Sequence, residues 1–181
     1  MCSYRRLLIA VSSVVAFTFV PQTVGAVKER YKEREKLATA GPQLMWTNPA
    51  DIRSRDLYYG SGGATDVPGT HFSFLKEDLD GTNPKFDVKD EYGVKWKVKL
   101  GIEAKPETAA TRIVWAVGYH TNEDYFVSQI RVNGMPAHLH RGRDLVGADG
   151  TVRDARLKRE SPGEKKIGTW SWRDNPFSGT R

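Results

Sequence analysis

The sequence of 181 residues contains a single cysteine, Cys2. A lone thiol excludes an internal disulfide framework and any metal site built from several thiolates. Histidine is also scarce, with four residues, and their spacing singles out none as the base of a Ser/His/Asp triad. His138 and His140 have no evident third ligand nearby, so we predict no metal site there. The acid pairs at 77–78 and 123–124 are adjacent in sequence, and adjacent residues of a strand point to opposite faces, which argues against a glycosidase.

Long hydrophobic runs are absent beyond the first 26 residues. Those residues begin with Arg5 and Arg6, continue with an uncharged apolar run at 7–20, and end in small residues at 24–26. This is the pattern of a secretory signal peptide, and we predict cleavage before Val27. An uncleaved membrane anchor is the alternative, but the run is shorter than the roughly 20 residues that a membrane span needs. We therefore expect an exported protein, periplasmic or extracellular, with no transmembrane span after cleavage.

A strong excess of one charge is also missing, since 28 Lys and Arg face 22 Asp and Glu for a net charge of +6. The positive excess lies at the ends of the predicted mature chain, in residues 27–40 and 151–181. On an exported protein a basic tail favours an anionic envelope surface, lipid or wall polymer, over nucleic acid. Ordinary solvated surface charge explains the same residues equally simply.

Length and composition indicate one folded domain that follows a lead-in. Residues 27–40 are rich in charge and predict a short surface helix or a tether. Residues 41–69 are dense in glycine and proline and predict mostly loop. The run at 60–63 (GSGG) lacks the spacing of a phosphate-binding loop, so it predicts a flexible loop. The predicted organisation is thus a signal peptide at 1–26, a helical or tethered, loop-rich lead-in at 27–70, and a folded domain at 71–181.

Alternation of apolar and polar residues predicts strands at 71–79, 84–89, 94–100, 125–132, 152–158 and 167–172. The third is the clearest, with apolar residues on one face and three lysines on the other. A helix is predicted from Pro106 to a stop at Gly118. We expect its apolar stripe to pack on the sheet, which gives an α+β fold with one helix on a mainly antiparallel sheet. The stripe consists of Ala109, Ala110, Ile113, Val114, Ala116 and Val117.

Three motifs occur in this order along the chain: GTNPKF at 81–86, VKWKVK at 94–99, and PE at 106–107 followed by RIVWAVGY at 112–119. Together they resemble the amino-terminal lobe of HipA-type and other atypical kinases, over about residues 71–160. The runs at 51–63 (DIRSRDLYYGSGG), 77–86 (EDLDGTNPKF) and 172–177 (WRDNPF) are similar to a group of exported bacterial proteins.

The resemblance implies that the turn after the first strand covers the phosphates of a nucleotide. Backbone N–H groups of Gly81, Thr82 and Asn83 could face the anion, because glycine permits close approach, and Lys85 could add charge. ATP with Mg²⁺ is the implied cofactor. An ordinary Asp-Gly hairpin turn accounts for the same residues without a ligand.

The resemblance also implies a phosphate-binding lysine on the third strand and a helix glutamate that positions it. Lys99 fits this pattern best, Lys97 on the same face is the second choice, and Glu107 is the candidate carboxylate. A solvated strand face protected by lysines is the alternative for both lysines. For Glu107 the alternative is an acid favoured in the first turn by the helix dipole.

A catalytic loop of the His-Arg-Asp-x-x-x-x-Asn kind is not found in the sequence, and Asp174 and Asn175 are too isolated to serve as one. We therefore expect a truncated kinase-like lobe that binds nucleotide and has no catalytic activity of its own. Phosphotransfer would require a second lobe. The alternative function is an extracytoplasmic β-rich module, binding or structural, that contacts anionic envelope polymers through its basic tail.

Overall fold

A computed structural model describes residues 25–30, 32–33, 45–161 and 171–174. Within these residues five strands and one long helix form the domain, in the order of three strands, the helix and two strands. This order agrees with the predicted one up to the fifth strand. The strands are β1 (Phe72–Glu77), β2 (Lys85–Asp90), β3 (Lys95–Lys99), β4 (Asp124–Asn133) and β5 (Thr151–Arg159), and the central helix is Ala104–Ala116.

The sheet closes into a barrel with the strand order β1-β2-β3-β5-β4. Four of the five neighbouring pairs are antiparallel, and the barrel closes where β1 pairs with β4 in parallel. The α+β class and the mainly antiparallel pairing agree with the sequence prediction. The expectation of a simple sheet was incomplete, because alternation tells which face of a strand is buried and not which strand lies beside it.

The barrel interior is filled by the apolar face of each strand. Phe86, Trp96, Val98 and Leu157 are almost completely buried there. Asp90 is the polar residue at one end of this core, and its carboxylate accepts the indole N–H of Trp96 at 2.8 Å. The predicted faces of β3 are therefore confirmed: its apolar residues point inward, and its lysines lie on the outer surface.

The central helix covers part of the outer surface of β4 and β5, through a different face from the predicted one. Its buried positions are Ala104, Thr108, Arg112 and Ala116, four residues apart. Of the predicted stripe, only Ala116 is buried, whereas Ile113 is 62% exposed. The prediction was wrong because the strand surface under the helix is charged, so the helix packs there through polar side chains.

The lead-in packs on one end of the barrel. Residues 25–30 are helical, and Val27, the first residue after the predicted cleavage site, is buried in the hydrophobic core. Residues 1–24 lie outside the described residues, so the signal peptide stays a prediction. Three short 3-10 turns follow at Ile52–Ser54, Gly60–Gly62 and Ala64–Asp66, which agrees with the expected loop-rich segment.

The predicted flexible run at 60–63 is a packed turn. Gly60 and Gly62 are buried, and a Cβ on either would overlap Arg112 or Tyr125. Most of the predicted strand at 167–172 lies outside the described residues, and a 3-10 turn occupies Trp172–Asp174. Among the residues that are described, no helix is long and apolar enough to cross a membrane.

Candidate functional site

Charged side chains form rows across the outer face of the barrel, because paired residues on neighbouring strands share a face. Lys99 lies opposite Lys85 on β2 and opposite Arg156 on β5. Lys97 occupies the adjacent row, opposite Asp87 and Lys158. Both candidate lysines therefore stand on one outward-facing surface, next to the central helix and the turn between β1 and β2.

Lys99 joins β3 to the central helix. Its ammonium group donates hydrogen bonds to Glu103 Oε2 at 2.7 Å and to Glu107 Oε1. Glu107 in turn accepts a hydrogen bond from the guanidinium of Arg156. The strand lysine and helix glutamate that the sequence singles out are thus in direct contact, and Arg156 fixes the second oxygen of that glutamate.

Both members of this pair are held in their charged forms. Burial alone would lower the pKa of Lys99, but the hydrogen bonds that it donates to Glu103 and Glu107 outweigh burial and raise the pKa. Burial alone would raise the pKa of Glu107, and its contacts with Lys99 and Arg156 lower it. Lys99 is therefore an ammonium ion at neutral pH, suited to bind an anion and unsuited to act as a base.

Lys97 is bound by two aspartates instead. It donates to Asp87 Oδ1 at 3.0 Å and to Asp78 Oδ2. Burial would lower the pKa of Lys97, yet the hydrogen bonds to Asp78 and Asp87 raise it. Lys76 approaches Asp87 from β1, at 3.6 Å. Lys97 thus belongs to a network separate from that of Lys99.

The turn between β1 and β2 contains the three residues whose backbone N–H groups are predicted to face an anion. Gly81 adopts a positive φ of 66°, which glycine accommodates without strain. Within the described part of the chain, the backbone N–H groups of Gly81, Thr82 and Asn83 donate no hydrogen bond. Three successive unpaired N–H groups at an exposed turn can bind an anion such as a phosphate.

Side chains from three directions hold this turn in place. Lys85 folds back to donate to the carbonyl of Asp80, and Arg141 donates to the carbonyl of Gly81. Asn83 Nδ2 donates to Glu103 Oε2 at 2.6 Å, the same oxygen that accepts from Lys99. Asn83 and Lys99 therefore meet at one carboxylate, which ties the turn to the site beside the helix. Lys85 stabilises the turn and points away from open solvent.

A cavity of about 550 Å³ lies beside the turn and is predominantly charged. Its walls include Lys97 but not Lys99. Five carboxylates and three ammonium groups surround it, so a bare anion would meet a net negative charge. The walls consist of Lys76, Glu77, Asp78, Leu79, Asp80, Asp87, Lys97, Lys158, Glu160 and Ser161.

The sequence did not single out several residues that complete the site. Glu103 is four residues from both Lys99 and Glu107, a spacing that could have been noticed. Arg156 and Asp87 are brought in only by the pairing of β5 and β2 with β3. His140, for which the sequence predicted neither a metal site nor a role as a base, contacts Glu77 at 2.9 Å through Nδ1. In the described residues no group of three or more metal-binding side chains is arranged around a common point.

No family model, curated protein or solved structure matches the chain.

Proposed function

We propose that this chain is a nucleotide-binding lobe of a kinase-like fold, with no catalytic activity of its own. The observation that carries the proposal is the contact between Lys99 on β3 and Glu107 on the central helix. A strand lysine held by a helix carboxylate is the arrangement with which kinases present an ammonium group to nucleotide phosphates. The order of strands and helix around this pair supports the same proposal.

The turn supplies the second half of the proposed phosphate site. The unpaired N–H groups at 81–83 would donate to phosphate oxygens from one side, and the ammonium of Lys99 would approach from the other. Glu103 connects the two through Asn83 and Lys99 and is 48% exposed. A phosphate oxygen would replace Glu103 as the partner of Lys99, while the more enclosed Glu107 keeps its contact.

Mg²⁺ would enter together with the nucleotide. The cavity beside the turn carries more carboxylates than ammonium groups, so a triphosphate that extends from the turn into this cavity would be repelled without a cation. A magnesium ion neutralises two charges of the triphosphate and is bound by its oxygens in such sites. We therefore expect ATP to bind much more tightly with Mg²⁺ than in the presence of a chelator.

The test is a calorimetric titration of the chain with Mg-ATP. Replacement of Lys99 by methionine keeps the length of the side chain and removes its charge, so we expect at least tenfold weaker binding. Lys97→Met should weaken binding less, because Lys97 is engaged by Asp78 and Asp87. Lys95→Met is the matched control for Lys99→Met, because Lys95 is an exposed lysine four residues earlier on the same strand. Undiminished binding in the double variant of Lys97 and Lys99 would refute the proposal.

A further inference from the structure

A groove of about 620 Å³ lies on the other side of the central helix from Lys99, between the helix, β4 and the loop at 57–70. Its walls are mainly apolar and aromatic. Four residues of the central helix line it; among them Ala109 forms part of one wall and Arg112 is the buried cation. The remaining lining residues are Leu57, Tyr58, Tyr59, Val67, Pro68, Gly69, Thr70, Lys105, Thr108, Tyr125, Phe126 and Val127.

Arg112 is unusual for a cation because it is only 6% exposed. One guanidinium nitrogen, Nη2, donates to the backbone carbonyl of Asp124. The other two, Nε and Nη1, are buried and make no hydrogen bond to any residue in the described part of the chain. The guanidinium also lies 5.6 Å from the centre of the Tyr125 ring. A buried cation with two unpaired donors destabilises the folded state, because these N–H groups lose their hydrogen bonds to water on folding and gain none in the protein.

Neighbouring residues pack closely against this guanidinium. Gly60 abuts it so closely that any larger residue would displace it, and Gly60 has a positive φ of 70°. Burial lowers the pKa of Arg112 below its ordinary value, but an arginine stays charged at every physiological pH. At the rim of the groove Lys105 lies 5.1 Å from the centre of the Phe126 ring and pairs with Asp154 at 3.2 Å. Nη1 lies against Gly60 and both unpaired nitrogens are enclosed, so a ligand in the groove reaches them when the guanidinium turns toward it. Lys105 is already paired with Asp154.

We propose that this groove binds a small molecule that joins an aromatic or aliphatic body to a carboxylate, with the carboxylate bound by Arg112. A carboxylate accepts several hydrogen bonds and matches the planar guanidinium. The aromatic and aliphatic walls fit an apolar body. The volume lies within the range of about 300–1,000 Å³ that is typical of small-molecule sites.

This site does not depend on the proposed nucleotide site. Glu107 and Lys99 lie on a different side of the helix from Ala109, and none of the three candidate phosphate-binding residues of the turn lines the groove. Binding of the carboxylate can therefore be measured whether or not ATP binds.

The experiment titrates the full chain with 4-phenylbutyrate and, separately, with 4-phenylbutyramide, and follows binding by calorimetry. The two compounds have nearly the same shape, but only the acid carries the negative charge. Charge-assisted hydrogen bonds add enough affinity that we expect the acid to bind at least tenfold more tightly. Equal affinities, or no binding of the acid, would overturn the proposal.

Variants identify the location of the site. Ala109→Trp should fill the groove and abolish binding of the acid, whereas Ala110→Trp, an exposed neighbour on the same helix that does not line the groove, should leave it intact. Arg112→Met should reduce affinity for the acid to that of the amide. Since Arg112→Met can also impair folding, the two tryptophan variants provide the decisive comparison. Acid binding that survives in Ala109→Trp would contradict the proposed site.

Discussion

Asp90 shows how one buried carboxylate can organise a turn and a core at once. It is 5% exposed and accepts hydrogen bonds from the backbone N–H groups of Tyr92 and Val94, at 3.0 and 2.9 Å. Its other oxygen accepts from the Trp96 indole. The turn between β2 and β3 and the largest side chain of the core therefore share one acceptor.

Replacement of Asp90 by alanine should destabilise the protein by about 3–5 kcal/mol, because two buried donors and one partly buried donor lose their partner. Asp90→Asn keeps one acceptor oxygen and should cost less. The measurement is urea unfolding at neutral pH. Asp80→Ala, at an exposed position of the other turn, should change stability by less than about 0.5 kcal/mol. A cost for Asp90→Ala as small as that of Asp80→Ala would show that the network contributes little.

At the scale of single residues, local sequence pattern identified Lys99 and Glu107 but missed their partners. A lysine in an alternating strand and a glutamate in the first turn of a helix are visible in the sequence. Arg156 is not, because its place beside Lys99 depends on the pairing of β3 with β5, which are separated by the central helix and β4. Residues brought together by distant strand pairing carry no local signal.

At the scale of elements, the central helix presents polar side chains to the barrel and apolar ones to solvent. Thr111 donates to Asp124 Oδ2 at 3.0 Å, and Glu107 contacts Arg156. The helical periodicity was correctly predicted, but the burial of its apolar stripe was not. The stripe was expected to be buried because apolar helix faces usually are. Here the outer surface of β5 is charged, so the polar face of the helix packs on it and the apolar face is exposed.

Substitutions on the two faces of the helix should therefore change stability in a way that hydrophobicity alone does not predict. Changes on the apolar face should have little effect, and changes on the buried face should destabilise the protein. Ile113→Gln should change the free energy of unfolding by less than about 0.5 kcal/mol, since Ile113 is largely exposed. Ala116→Leu should destabilise by about 1–3 kcal/mol, since Ala116 is buried and a larger side chain overpacks the interface. Denaturant unfolding of both variants measures these changes in the free energy of unfolding. A large loss for Ile113→Gln would mean that its face is covered.

The end of β1 and the loop at 134–142 are joined through Glu77. The carboxylate accepts from the backbone N–H groups of His140 and Arg141, both at 3.0 Å, and contacts His140 Nδ1. Burial alone would raise the pKa of Glu77, but the hydrogen bonds from His140 and Arg141 outweigh it and lower the pKa below its ordinary value of 4.5.

A lowered carboxyl pKa gives stability that is present above about pH 4.5 and is lost as the pH falls through the folded-state value. We expect Glu77→Gln to destabilise by about 1–3 kcal/mol at pH 5.5, through the loss of charge-assisted hydrogen bonds. The difference from the parent chain should shrink at pH 3, below the ordinary pKa of 4.5, because the stability that the charged form of Glu77 contributes is lost as the pH falls. Urea unfolding at both pH values measures this difference, and an unchanged difference would contradict the role of the Glu77 charge.

At the scale of the whole molecule, closure of the barrel positions the candidate site. The parallel contact between β1 and β4 is short, with Phe72 opposite Val132 and Ser73 opposite Asn133. It completes the barrel and leaves the lysines of β3 on the outer surface between the β1–β2 turn and the central helix. The sequence predicted the strands and the class, but closure depends on contacts between residues far apart in the chain, which alternation does not encode.

The central claim is that Lys99, Glu107 and the β1–β2 turn form a nucleotide site, and thermal unfolding with and without millimolar Mg-ATP tests it most directly. A ligand at a hundredfold excess over its dissociation constant stabilises a folded protein by about 2.7 kcal/mol. We expect Mg-ATP to raise the melting temperature of the parent chain and of Lys95→Met clearly, and to raise that of Lys99→Met little or not at all. Cooperative unfolding that Mg-ATP does not shift, or an equal shift in Lys99→Met, would contradict it.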